Sequence, residues 1–245
     1  MQKCTKCHLP ETYETFRFNE EGSCNVCVQH EVKHDVIDWD KRMEDFEELI
    51  APFKGTGDYD CIVPFSGGKD STYILHRIMT YHKLKPLVVS WDHGFYRPGH
   101  MKNVERTLKK LGADFLVFRP NMKVVGQVML ESLKRKGDFC WHCHSGIYAY
   151  PMQIAVKFNI PLLIWGESVS EYTGYYDFDE ENWEEQDEEA FNKHVNLGIR
   201  AEDMLEFLPN LTKRDLSPYE YPKLRDLKKI GYKSILYGTF IKWDA

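Results

Sequence analysis

No stretch of this chain approaches the ~20 consecutive apolar residues that a membrane-spanning helix needs, so no membrane segment is expected. The opening residues Met1-Gln2-Lys3-Cys4 contain no apolar core of a secretory signal, which points to a cytoplasmic setting. Basic residues are in the minority, 32 Lys and Arg against 38 Asp and Glu, for a formal net charge of −6. Phosphate backbones are held by clustered cations, so nucleic acid is disfavoured as a partner, although net charge does not report a local basic groove. No internal repeat is visible. Cysteine is sparse at seven residues, yet six of them fall in three Cys-x-x-Cys pairs. In a reducing compartment that arrangement argues for metal or chemistry over disulfides. What is present suffices for a core: 42% hydrophobic residues, with 14 Phe and 14 Tyr. A length of 245 residues suggests one large domain with a small appendage.

The appendage is read as residues 1–34, which hold four cysteines and little apolar periodicity; residues 35–245 form the main domain. Trp39, Met43, Phe46, Ile50 and Phe53 recur at steps of four and three, the stripe of an amphipathic helix over Val36–Phe53. Beyond Asp60, short apolar runs at Cys61–Phe65, Pro86–Trp91, Asp114–Phe118, Leu162–Trp165 and Ser234–Phe240 read as strands buried on both faces. A helix carrying Met101, Val104, Leu108 and Leu111, closed by Gly112, separates the second from the third. Near the end, a helix from about Pro222 would turn Leu224, Leu227 and Ile230 inward. Strands alternating with helices imply right-handed crossovers and an α/β fold with a doubly wound, parallel, five-stranded sheet. Residues 177–194 interrupt the rhythm: nine of the thirteen residues Asp177–Glu189 are acidic. This insertion reads as a solvated surface segment, or as a lid or docking surface.

The first strand runs into Ser66-Gly67-Gly68-Lys69-Asp70-Ser71, and a helix with Ile74, Leu75, Ile78 and Met79 inward follows. Two glycines permit positive φ and close approach of an anion to the backbone. The helix N-terminus offers unpaired N–H groups and a partial positive charge. Lys69 adds a cation, Ser66 and Ser71 add hydroxyl donors, and Asp70 makes most sense as a Mg²⁺ ligand. Asp70 follows Lys69, so the run is not a Walker A loop. It resembles the pyrophosphate-binding loop of the PP-loop ATP pyrophosphatases, which adenylate their substrates and release pyrophosphate. That resemblance puts the turn after the second strand near the adenosine, with Asp92 a candidate for the ribose or adenine, or else a plain turn residue. Trp165-Gly166-Glu167-Ser168 closes the fourth strand at the same edge. Gly166 gives room for nucleotide or substrate, and Glu167 either holds metal, orients the nucleophile or is a surface carboxylate.

Cys4-x2-Cys7-x16-Cys24-x2-Cys27 has the spacing of a four-thiolate Zn²⁺ site, a zinc-ribbon-like module. Cys140-Trp141-His142-Cys143-His144 precedes the helix that reaches Phe158. Cys140 and Cys143 are a candidate second metal site with His142 or His144, those histidines are alternatively acid/base groups, and an inert packed pair is the third reading. In some tRNA-thiolating PP-loop enzymes such a pair joins a later cysteine; none follows Cys143 here.

Taken together, Cys4-Thr-Lys-Cys7-His-Leu-Pro-Glu-Thr12, Glu21-Gly-Ser-Cys24-Asn-Val-Cys27, Tyr59-Asp-Cys-Ile-Val63, the phosphate loop, Cys140–His144, Ile164-Trp-Gly-Glu167 and Trp243-Asp244 resemble the N-acetyl sugar amidotransferases of bacterial surface-polysaccharide biosynthesis. The resemblance implies an adenine nucleotide alpha hydrolase-like sheet and MgATP-dependent adenylation of the N-acetyl amide of a nucleotide-linked amino sugar. Ammonia from a separate glutaminase subunit would then displace AMP to give an acetamidino group, with Lys69, Asp70 and Glu167 the catalytic candidates. Members of that family continue past the Trp-Asp position, which raises the expectation of a fragment or short variant. A homo-oligomer is left open. The alternative reading is a tRNA-thiolating PP-loop enzyme using the same adenylation on a base.

Overall fold

The computed structural model describes residues 1–12, 16–166, 192 and 195–242, without the side chains of 34 and 35. Its strands are β1 Cys61–Pro64, β2 Pro86–Trp91, β3 Asp114–Phe118, β4 Leu162–Trp165 and β5 Lys233–Leu236. They form one parallel sheet in the order β3-β2-β1-β4-β5. The Lys233 N–H donates to the Pro161 carbonyl at 2.8 Å and sets β5 beside β4. From β1 the chain winds outward through β2 to β3, then returns to the other side of β1 for β4. With right-handed crossovers that reversal requires helices on both faces of the sheet. The doubly wound α/β class expected from the sequence is the one observed.

The helices of the larger unit are α3 Lys69–His76, α4 Pro98–Leu111, α5 Met122–Lys136, α6 Trp141–Phe158, α7 Ala201–Phe207, α8 Lys213–Leu216 and α9 Leu224–Lys229; α1 Asn25–Asp35 and α2 Trp39–Ile50 precede the sheet. α3 runs on into a π-helical turn, Arg77–Tyr81. β1, β2 and β4 are buried almost throughout, which is why each reads as an unbroken apolar run. The buried Asp60 ties the entries of β1 and β2 together, accepting from the Gly55 N–H at 2.6 Å and the Lys85 N–H at 2.7 Å. Caps explain the helix ends: Gly112 and Gly137 close α4 and α5 in the left-handed region, and the Asn121 side chain opens α5 on the Lys123 N–H.

Four expectations are corrected. No helix is expected before Val36, yet Asn25–Asp35 is helical; apolar residues do not gather on one face of it, so no stripe announces it. β3 is not buried on both faces, because it is the sheet's edge and Val117 is 46% exposed. The last strand stops at Leu236, where Tyr237–Thr239 tighten into a 3-10 turn. Leu224 begins α9 pointing outward, half exposed, while Leu227 is buried.

The chain divides into two compact units. One comprises Met1–Pro52, Gly166–Trp183 and Ile235–Ala245; in it Phe46 packs edge-on against Tyr237 and tilted against Phe240, with ring centroids 5.0 and 5.2 Å apart. The other comprises Phe53–Trp165 and Glu184–Ser234. Its second core gathers Trp91, Trp141, Met204, Leu216 and Tyr219. There the Trp141 indole N–H donates to the Ile199 carbonyl at 2.9 Å.

Candidate phosphate site and cysteine cluster

In a doubly wound sheet, ligands gather at the carboxyl ends of the strands where the order reverses. Here that point lies between β1 and β4, and the phosphate loop leaves β1 at it. Phe65 makes the last ladder bond, its N–H donating to the Val89 carbonyl at 2.8 Å. Ser66, Gly68 and Lys69 are then exposed, Asp70 is half-buried, and Gly67 is buried. Gly67 sits at φ +77°, and a Cβ there would come within 2.3 Å of Val104 Cγ2. Conformation and space both demand glycine. Gly68 differs from expectation: with φ −74° and ψ 176° it is an extended N-cap of α3, outside the left-handed region.

The loop is internally braced. Ser66 Oγ and Ser71 Oγ lie 3.1 Å apart; the Gly67 N–H donates to Ser71 Oγ at 3.1 Å and the Gly68 N–H to Ser66 Oγ at 3.3 Å. The Ser71 hydroxyl reaches the Gly68 carbonyl at 3.3 Å. The glycine amides therefore shape the turn, and the first-turn amides of Lys69, Asp70 and Ser71, which have no intrahelical acceptors, face an incoming anion. Lys69 Nζ stands 3.5 Å from Asp70 Oδ1, with the lysine side chain 73% exposed. An exposed pair of that kind is worth little, so Lys69 can turn to a phosphate at small cost.

Asp92 follows β2 at the same edge. It is buried, and both carboxylate oxygens are engaged: Oδ1 accepts the Gly94 N–H at 2.8 Å, and Oδ2 accepts Arg119 Nε and Nη2 at 2.5 Å. Its own N–H donates to the Phe118 carbonyl at 2.8 Å. The arrangement makes Asp92 the knot that fixes the turn. Beyond it runs a row of rings. His93 and Tyr96 centroids are 4.2 Å apart, and Tyr96 stacks on His100 at 4.6 Å and 19°. His100 Nε2 meets the Ser66 carbonyl at 2.8 Å. Neither His100 nor Arg119 was singled out in the sequence; the signal available was the density of rings and cations in Trp91-Asp-His-Gly-Phe-Tyr-Arg97 at a strand's carboxyl end.

Gly166 follows β4 directly, its carbonyl accepting the Gly238 N–H at 2.9 Å. Glu167, all of the acidic insertion 177–194 except Asn192, and Trp243-Asp244 lie outside the described residues. Cys140 caps α6, its N–H donating to Asp138 Oδ1 at 2.6 Å, and Cys143 lies in the first turn of that helix, not in a preceding loop. Burial pushes the Cys143 thiol up to about 11 and raises Cys140 as well. His142 is buried, and among the described residues neither ring nitrogen makes a hydrogen bond of normal geometry; burial lowers its pKa, against the opposing pull of the nearby His93 and Phe139 backbone. His144 is exposed. A separate cavity of about 510 Å³ in the same unit is lined by the cations Lys157, Arg200, Lys223 and Arg225 together with the carboxylates Glu202, Glu220 and Asp226.

Cys4, Cys7, Cys24 and Cys27 bring their sulfurs within 4.8 Å of one another. Among the described residues no other group of three or more His, Cys, Asp or Glu ligand atoms does so, and Cys140 and Cys143 gain no third ligand. Cys4 and Cys27 sulfurs are 3.9 Å apart, and Cys7 and Cys24 sulfurs 3.7 Å. A tetrahedral ion with metal–sulfur bonds of 2.3 Å would separate its thiolates by roughly 3.8 Å, so the four residues match such an ion. Burial raises Cys4, but the N–H groups of Cys7, Cys24 and Lys6 pointing at its sulfur outweigh that and bring it to about 5. Antiparallel bridges Lys3–Pro10 and Phe18–Cys24 hold the two Cys-x-x-Cys turns.

No protein-family model matches the chain. An uncharacterized protein of Methanocaldococcus jannaschii is 24% identical over 169 residues, which are 68% of this chain and 59% of the relative. The chain thus spans less than two thirds of that relative's length. Among solved structures, the NH3-dependent NAD synthetase of Campylobacter jejuni, in complex with nitrate, aligns at 13% identity and a TM-score of 0.42 over 79% of this chain and 85% of that one. The U34-tRNA thiolase NcsA of Methanococcus maripaludis, with its [4Fe-4S] cluster, aligns at 13% and 0.37 over 94% and 71%. A predicted subunit of tRNA methyltransferase from Methanocaldococcus jannaschii aligns at 16% and 0.32 over 68% and 93%. Among the described residues no helix is long and apolar enough to cross a membrane.

Proposed function

We propose that this chain is a MgATP-dependent, AMP-forming amidotransferase that activates the N-acetyl amide of a nucleotide-linked amino sugar. The observation that carries the reading is the Ser66–Ser71 turn, exposed at Ser66, Gly68 and Lys69, at the reversal point of the sheet with a helix N-terminus behind it. The first-turn amides of α3 and Lys69 would hold the β- and γ-phosphates, leaving the α-phosphorus open. The substrate's amide oxygen attacks that phosphorus, the bond to the β-bridging oxygen breaks, and pyrophosphate leaves into the cradle. Ammonia then adds to the activated carbon; the C–O bond to AMP breaks, a proton is lost from nitrogen, and an acetamidino group remains. Preorganised amides and a cation facing the leaving charge supply most of the activation.

The half-buried Asp70 is a single carboxylate beside the cradle, which suits Mg²⁺, an ion bound by one or two carboxylates together with substrate phosphates. When bound it neutralises developing phosphate charge. We assign Zn²⁺ to the four N-terminal thiolates, as a folding element of that module. A separate glutaminase subunit as ammonia source follows from the family resemblance. The half-buried Cys140 and Cys143 favour a second reading, thiolation of tRNA with the same adenylation step.

Incubation with MgATP, ammonium and a panel of UDP- and GDP-linked N-acetyl amino sugars tests the reading, with AMP and pyrophosphate measured directly. AMP release that depends on both sugar and ammonium, and is lost in Lys69→Ala, is expected. No AMP with any sugar, together with unchanged ATP affinity in Lys69→Ala, overturns it. AMP release that requires tRNA and a sulfur donor replaces it with the second reading.

A further inference from the structure

We infer that His100 is a positioning residue of the phosphate loop, acting by clamping the single peptide plane between Ser66 and Gly67. The carbonyl of that peptide meets His100 Nε2 at 2.8 Å, and its N–H donates to Ser71 Oγ at 3.1 Å. In a planar trans peptide the carbonyl and the N–H point in opposite directions. One end of the plane is therefore tied to α4 and the other to α3. A carbonyl only accepts, so His100 must carry its hydrogen on Nε2. Turning the plane over would break both bonds at once and would carry Gly67 away from φ +77°.

The histidine is itself held. Its ring stacks on Tyr96 at 4.6 Å, Tyr96 packs on His93 at 4.2 Å, and the Tyr96 hydroxyl approaches the Trp91 carbonyl at 3.4 Å. A row of rings thus leads from the end of β2 to the loop that leaves β1. On the inner side, the His100 ring lies 3.0 Å from where a Cβ on Gly67 would sit, so the imidazole fills the space that glycine leaves. The clamp joins the two neighbouring turns of the sheet's carboxyl edge, and the direction of the amides beyond Gly68 depends on it. Because it acts equally on bound nucleotide before and during reaction, its loss should appear in nucleotide affinity and KM, with kcat little changed.

This inference rests on the nucleotide reading of the loop, and the experiment separates the two. The dissociation constant for MgATP is measured by calorimetry on wild type, Lys69→Ala, His100→Phe and His100→Gln, each with a urea unfolding curve. His100→Phe keeps the stacked ring without the donor, and His100→Gln restores an amide N–H near the Nε2 position. Loss of one hydrogen bond predicts binding weaker by roughly threefold to tenfold in His100→Phe, with recovery to within about twofold of wild type in His100→Gln. Wild-type affinity in His100→Phe, or no recovery in a folded His100→Gln, overturns the clamp while the nucleotide reading stands. Equal, negligible binding in wild type and Lys69→Ala overturns both. Should His100→Phe show no cooperative unfolding, His100→Asn, whose amide is too short to reach Ser66, replaces it; the same weakening is expected, and wild-type affinity overturns the proposal.

Discussion

Gly67 answers two demands that no other residue meets together. Its φ is +77°, where a side chain costs about 1–2 kcal/mol, and the space a Cβ would need is taken by Val104 and His100. Gly67→Ala is therefore expected to abolish measurable MgATP binding in calorimetry while lowering stability by about 2–3 kcal/mol. Gly68→Ala tests the contrast: its φ is ordinary and its Cβ would meet only Ser66 Oγ, at 3.4 Å, so stability should change by less than about 1 kcal/mol. At Asp92 the expectation is structural. Asp92→Ala leaves the Gly94 N–H and Arg119 without their acceptor and should cost about 1–3 kcal/mol in urea unfolding, whether or not nucleotide is present. The sequence announced the loop because Gly-Gly-Lys-Asp-Ser after an apolar run is dense with meaning. It did not announce Arg119 or His100, since each acts on a partner far along the chain, Asp92 and Ser66, and pairing at that distance leaves no local pattern.

Elements add a constraint that single residues hide. Gly146 lies inside α6, where alanine would ordinarily improve a helix by roughly 1 kcal/mol. Here a Cβ would lie 2.1 Å from the Trp91 ring, because α6 crosses β2 at close range. Gly146→Ala should reverse the usual sign, lowering the unfolding free energy by about 1–3 kcal/mol and the urea midpoint with it. The first turn of α6 also sets a pH response. Burial holds both His142 and His93 below the ordinary imidazole value of 6.5. As pH falls through that value the unfolded chain takes up protons that the folded chain refuses, so stability declines. Urea midpoints between about pH 7 and pH 5 should drop, and His142→Phe should flatten part of the slope. Strands were the most legible elements: β2, β3 and β4 begin and end where their apolar runs do. α1 was not, because a helix without an apolar face has no period to read.

For the whole molecule, the sequence conveyed the class of sheet through its alternation of strands and helices, and the gathering of four cysteines through their spacing alone. What it could not convey was the order of the strands, which depends on contacts between distant segments. The thiolate cluster makes its own prediction. Purified chain should carry one tetrahedral metal ion, and Cys24→Ser or a strong chelator should remove it, since such modules owe about 10 kcal/mol or more of apparent stability to their ion. Metal analysis and proteolysis should show the ion lost and Met1–Pro52 cleaved first; a metal-free chain equally resistant to protease would contradict the assignment. Ile62 pairs with Leu163, about a hundred residues later in the chain, and pairings of that span form slowly. During synthesis, every residue of the Ser66–Ser71 turn emerges from the ribosome long before β4, so a nascent chain halted at residue 160 would display the whole motif with one flank of β1 still unpaired.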